Sequence, residues 1–243
     1  MLFKFPQKKI VLDCFTNNEL IAKTAPIVPA MKLIPDWWKT LPSDYPHWDR
    51  PFNVSTMKHC VGMIDYYRKS IAIPFWTDLN VEVTDTTYEW KFSDGMSKIE
   101  IHDISKQATG FLNDAVHIKI IAPWMFKTKE SVSWVWSCPT YEYAKAMDVT
   151  HLPGIVDFQH QHGVNINFLL QRKLHRYEFK QGRPATLLTP MSDRKIEIVR
   201  HVVSKAEFNR LSDLHVGLTF RDKYLNIKKR TEQFADCPYH MKK

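Results

Sequence analysis

HLPGIVDFQHQHGVNINFLLQRKLHRYEFKQGRPATLLTPMSDRKIEIVRHVV, residues 151–203, reads as a Gly-containing turn, an alternating strand, a Gly/Pro hairpin and further strands. Val164, Ile166 and Phe168 alternate with Asn165, Asn167 and Leu169, the period-2 pattern of a half-buried strand. Tyr177–Phe179 leads through Gln181-Gly182-Arg183-Pro184 into Ala185–Leu188, a second strand pair around a turn. The module is antiparallel β. It names no reaction.

Working outward, the same reading extends over the whole chain. KKIVLDCF (8–15) forms a first strand, and Asn17 and Asn18 cap a short helical turn reaching Ala22 or Lys23. Residues 24–56 carry Pro26, Pro29, Pro35, Pro42, Pro46 and Pro51, which forbid long helices and central strands. They form an extended wrapping arm with one short helix near Pro35 to Lys39. Trp37, Trp38, Tyr45 and Trp48 are expected to pin that arm to the core. From Met57, CVGMI, SIAIPF and LNVEV read as strands, followed by a hairpin of Tyr88–Phe92 and Lys98–Ile101 about Asp94-Gly95. HIKIIA (117–122) and SVSWVWS (131–137) complete the set, with Trp134 and Trp136 on one packed sheet face. Ser204 and Glu207 form a capping box for a helix over 205–213. The fold class is therefore mainly β: an antiparallel sandwich, jelly-roll-like or β-clip, with a Pro-rich N-terminal arm and a short C-terminal helix. One domain spans 1–243, comprising the arm (24–56), a β core (57–203) and a helix with a basic tail (204–243).

Composition narrows the function classes. The 243 residues include 44% hydrophobic side chains and eight Trp, enough to fill a core. Seven Gly argue against a Gly-rich phosphate loop. The net charge is +8 and is not spread evenly: after Ser204, Lys205, Arg210, Arg221, Lys223, Lys228, Lys229, Arg230, Lys242 and Lys243 form a basic tail capable of low-specificity nucleic-acid contact. Cys14, Cys60, Cys138 and Cys237 lack disulfide-framework or zinc spacing and read as reduced, mostly buried thiols. No apolar run marks a signal peptide or membrane span, so synthesis in a cytoplasm and no membrane contact are expected.

Three residue groups could carry chemistry. His160 and His162 share a strand face at i and i+2, with Asp157 and His151 nearby, and could chelate a divalent metal. His47-Trp48-Asp49 has the H-x-D form of iron- and 2-oxoglutarate-dependent oxygenases, with His201 as a distal third ligand. The third group is carried by a resemblance. Gly154-Ile155-Val156-Asp157 and Gly182–Leu188 resemble, in order and spacing, the later part of trimeric dUTPase-like proteins of the β-clip type. That resemblance implies Asp157 as the base activating water, with Mg²⁺ on the phosphates, and sets Pro74–Leu79, including Asp78, beside the metal. The chain departs from the pattern at several points. His160 stands where a sugar-stacking Tyr belongs, Gly163 comes one residue late, Ala122-Pro123-Trp124-Met125 replaces a Pro-Arg-Ser segment, and the last glycine is Gly217. The likeness supports topology more than activity.

Taken whole, the chain resembles an uncharacterised protein family of tailed phages of marine cyanobacteria and other marine bacteria. KKIVLDCFT, Ile34–Lys39, Met57–Cys60, Ile73–Leu79 and Thr189–Lys195 carry that resemblance. It implies a phage origin and synthesis in the host cytoplasm, and no activity. Two expectations follow. One is a non-enzymatic β protein of the virion or its assembly, without a cofactor, contacting other phage proteins or itself. The alternative is an infection-phase accessory enzyme or ligand binder, with a β-clip nucleotide site or a jelly-roll metal site at Asp157, His160 and His162, and with Asp78 and His102 as further candidates.

Overall fold

The computed structural model describes residues 8–84, 87–95, 97, 99–102, 115–142, 149–160, 163–172, 176–212 and 229, with 99–102 and 212 described for their backbone alone. The first strand, β1 (Ile10–Thr16), runs directly into a turn that Asn18 converts to α1 (Glu19–Thr24). The Asn18 carboxamide oxygen accepts from the N–H groups of Leu20 (3.0 Å) and Ile21 (3.2 Å), the orphan donors of a first helical turn. The arm follows as β2 (Val28–Pro29), a 3-10 turn, α2 (Asp36–Thr40) and the hairpin β3 (Asp44–Pro46) and β4 (Asn53–Ser55). Then come α3 (Val61–Lys69), β5 (Ile71–Pro74), β6 (Leu79–Val83), β7 (Tyr88–Phe92) and β8 (Ile99–His102). The chain continues as β9 (Ala115–Lys127), β10 (Ser133–Ser137), β11 (Val149–His151), β12 (Gly154–Asp157), β13 (Gly163–Gln171) and β14 (Arg176–Phe179). It closes the described fold with β15 (Pro184–Pro190), β16 (Ile196–Val202) and α4 (Lys205–Ser212).

Two main sheets face each other. The first has the order β11-β13-β9-β1-β16, with β8 also paired to β9; the second is β12-β10-β15-β5-β2. From β9 to β13 successive strands alternate between these sheets, so the loops repeatedly cross the sandwich edge. Alternation sends Ile10, Leu12, Ile118, Ile120, Val164 and Ile166 inward from the first sheet. Ile71, Ile73, Trp134, Val156 and Leu188 meet them from the second. A smaller sheet, β14-β6-β7, adds Val81, Phe92, Tyr177 and Phe179 to the same core. Each such side chain stabilises the fold by about 1.5–3 kcal/mol. The result is a mainly β sandwich, as the sequence implies.

Both outer faces carry cover. Trp38 and Ala30 from the arm, with Met63 and Tyr67 from α3, pack on Ala72 and Leu187 of the second sheet. Phe208 and Leu211 of α4 pack on Phe15, Met125 and Val203 beside the first. Ser204 caps α4 as expected, its hydroxyl accepting from Glu207 N–H at 3.2 Å.

Two expectations need correction, and one ladder adds a detail. CVGMI is not a strand: from Val61 it enters α3, because Met63 and Tyr67, four residues apart, form one buried helical stripe while Asp65, Arg68 and Lys69 face outward. The Asp94-Gly95 turn does not join two paired strands. β7 pairs with β6, whereas β8 pairs with β9 in the large sheet. One ladder is parallel: β1 runs beside β16 from Ile10↔Ile196 to Thr16↔Val202. Arg194 helps set that register by donating to the carbonyls of Lys8 and Lys9 and to both Glu130 oxygens at 2.7 Å.

The turn between β14 and β15 fixes the small sheet against the sandwich. Asp78 Oδ1 accepts from Gln181 N–H (2.8 Å), Gly182 N–H donates to Phe75 O (2.8 Å), and Phe75 N–H donates to Arg183 O (2.8 Å). Gly182 sits at φ 81° with open space where a Cβ would stand. Gly182→Ala therefore meets no clash and costs only the left-handed backbone penalty, about 1 kcal/mol. Urea unfolding of this variant is expected to show that loss.

Candidate functional site

Asp157 ends β12, opposite Ser133 of β10. Its Oδ1 accepts from Gln159 N–H at 2.9 Å, and its Oδ2 accepts from the Ser131 hydroxyl. Its carbonyl accepts from His160 N–H at 3.1 Å, while Gln159 Nε2 donates to Lys129 O at 3.2 Å. These bonds make an Asx turn stapled to the segment before β10. His160 is half-buried in this turn. His162 lies outside the described residues. Asp157→Ala is expected to loosen the staple and lower stability by about 1 kcal/mol in urea unfolding.

The H-x-D group falls at the tip of the β3–β4 hairpin. There His47 Nδ1 contacts Asp49 Oδ1, and the two side chains engage each other. His201 belongs to β16 in the first sheet, where its Nε2 bonds to Asp13 Oδ1 at 2.8 Å and its ring stacks on Phe15 at 4.7 Å. Asp13 is buried, and His201, bonded to it within the first sheet, forms no metal-ligating group with His47 and Asp49. Asp78 serves the β14–β15 turn. The backbone N–H of Gln181, aided by Lys180, holds its carboxyl below the usual range. His102 is described only as a backbone position in β8. Among the described residues, no three His, Cys, Asp or Glu side chains gather as a metal site.

The arm aromatics divide into two sets. Trp38 is 5% exposed and sits in the second core cluster, and Trp37 Nε1 donates to Tyr141 O at 2.8 Å. These two pin the arm as expected. Trp48 is 90% exposed and Phe52 59%, with Tyr45 also open to solvent. They project instead of pinning: β3 and β4 pair only with each other, apart from the two main sheets. His47 lies between Tyr45 (6.5 Å, tilted) and Trp48 (5.8 Å, stacked), and the Arg50 guanidinium sits 5.8 Å from the Phe52 ring centre.

The hairpin base is held firmly. Thr56 donates from its hydroxyl to Pro42 O (2.6 Å) and from its N–H to Ser43 O (2.9 Å). Lys58 Nζ donates to Leu41 O (2.9 Å) and Lys39 O (3.1 Å). Behind it, Arg183 Nη1 donates to Asp36 Oδ2 at 2.9 Å while its Nε donates to Glu142, tying α2 to the second sheet. A rigid stem thus presents an aromatic tip. Phe52 and Arg50 escaped the sequence reading; the Pro46–Pro51 bracket around a Trp was the available signal.

No protein-family model, curated protein or solved structure matches the chain. Its geometry therefore speaks for itself. Among the described residues, no helix is long and apolar enough to cross a membrane. Of the thiols, Cys14 is buried, Cys138 half-buried and Cys60 exposed, so the expected burial holds only in part. Cys237 lies outside the described residues.

Proposed function

We propose that this chain is a phage-encoded, non-enzymatic β protein of the virion or its assembly, made in the host cytoplasm, whose β3–β4 hairpin docks on a neighbouring protein of the particle. The carrying observation is the solvent-facing Trp48 and Phe52 pair on a hairpin clamped at Thr56 and Lys58. Large aromatic anchors dominate protein contacts, and a preformed stem spares the ordering cost of binding. Three of the candidate side chains have structural partners among the described residues: Asp157 in its Asx turn, Asp78 at the β14–β15 turn, and His201 with Asp13.

The test places a photo-crosslinking residue, p-benzoylphenylalanine, at position 48 in the chain expressed during infection. Crosslinks to structural proteins of the particle are expected. Irradiation that yields only uncrosslinked chain, or adducts to host proteins alone, contradicts the reading.

A further inference from the structure

A solvent-open cavity of about 420 Å³ lies at the sandwich edge where the chain passes from β11 to β12. Its size falls in the range of small-molecule sites. The hairpin and the Asp157 turn contribute nothing to its lining. It is separate from the proposed docking tip.

The lining has two chemical characters. His117 and Lys119 of β9, with Asn165 and Asn167 of β13, occupy the alternate positions that the core residues leave on these paired strands. Trp136 of β10, Pro153 of the crossing and Ile155 of β12 supply apolar surface. Asn167 Oδ1 meets His117 Nε2 at 3.2 Å. A carboxamide offers two N–H donors and one acceptor oxygen, so Asn167 can bond His117 and still present a polar group to the cavity. Among the described residues that line the cavity, none is Asp or Glu. The backbone register pairs Glu100 of β8 with Lys119 of β9. Burial holds the His151 imidazole at a pKa of about 3, and it is therefore an uncharged wall at neutral pH.

We infer that this cavity binds a small organic anion, a carboxylate or phosphate group carried on a compact ring. The oxygens of such a ligand accept from the Asn165 and Asn167 amides beside Lys119, and its ring lies against Trp136. Charge-assisted hydrogen bonds in a partly desolvated cleft exceed neutral ones in strength. An aromatic wall adds apolar contact without fixing ligand identity.

Isothermal titration of the full chain with benzoate, phenyl phosphate and benzyl alcohol tests this. One saturable site per chain is expected for an anion, at least about tenfold tighter than for the neutral alcohol. Whichever anion binds more tightly identifies the carboxylate or the phosphate as the preferred group. Asn167→Leu and Lys119→Met, each checked for an unchanged urea midpoint, are expected to weaken anion binding about tenfold. Equal affinity for benzyl alcohol, absence of saturable binding by either anion, or anion binding unchanged in both folded variants overturns the inference. If one variant does not fold, the other decides.

Discussion

Replacing Trp48 and Phe52 together by serine is expected to strip the chain from the particle while leaving its urea midpoint within about 0.5 kcal/mol of the parent. The two effects separate because of where the side chains lie. Both rings already face solvent, so folding removes little of their surface from water and the substitution forfeits little burial. In a docked state the same rings become the anchors. Central aromatic anchors each cost about 2 kcal/mol or more when truncated, so losing two weakens docking by about a thousandfold. Retention measured by quantitative immunoblot of purified particles reads the first effect, and urea unfolding reads the second. Unchanged retention removes the hairpin from the contact. A large fall in midpoint makes Trp48 and Phe52 structural residues.

Acidification from pH 6.5 is expected to destabilise the protein through His151. This imidazole is buried against Phe168, at 4.3 Å between ring centres, and burial lowers its pKa from 6.5 to about 3. Below about pH 6.5 the unfolded chain takes up a proton that the folded chain refuses, so the unfolded state gains as pH falls. The stabilisation is fully present above 6.5 and is lost progressively towards 3, at up to about 1.4 kcal/mol per pH unit. Between pH 6.5 and about 5 the expected loss from this group is roughly 2 kcal/mol.

The carboxylates held low by cationic or backbone partners, Asp36, Asp78, Glu130 and Asp193, lose their contributions only in more acid solution. Glu142, raised by burial, acts in the opposite sense within its own range. His151→Leu removes the imidazole and keeps an uncharged wall. Urea midpoints across this window should fall more steeply for the parent than for the variant by that amount. Parallel pH profiles contradict the assignment.

What was legible in the sequence was what is locally encoded. The Asn18 cap, the Ser204 cap and the alternation of Val164, Ile166 and Phe168 each declare themselves within a few residues, and each stands in the fold. Sequence distance hid the rest. Asp94-Gly95 has turn chemistry, yet the partner of β8 is β9, chosen by the large sheet and not by the turn. The parallel pairing of β1 with β16 joins near-opposite ends of the chain and has no local signature. CVGMI is ambiguous because a short run of four apolar residues and a glycine fits either period, and only Tyr67, further along, completes the helical stripe.

The candidate sites show the same division. Asp157 and His160 do share one turn, but bonds to Ser131 and Gln159 give the aspartate a structural duty that spacing cannot reveal. Trp38 and Trp48 look alike between prolines in the sequence. One fills the cover of the second sheet and the other projects from the arm, a difference set by how the clamped stem leaves the body.

Quantitative mass spectrometry of gradient-purified particles, compared with infected-cell lysate, tests the assembly role most directly. The account predicts the chain in particles at fixed stoichiometry to a known structural protein, resistant to a high-salt wash. Abundance in lysate with none in washed particles would contradict it.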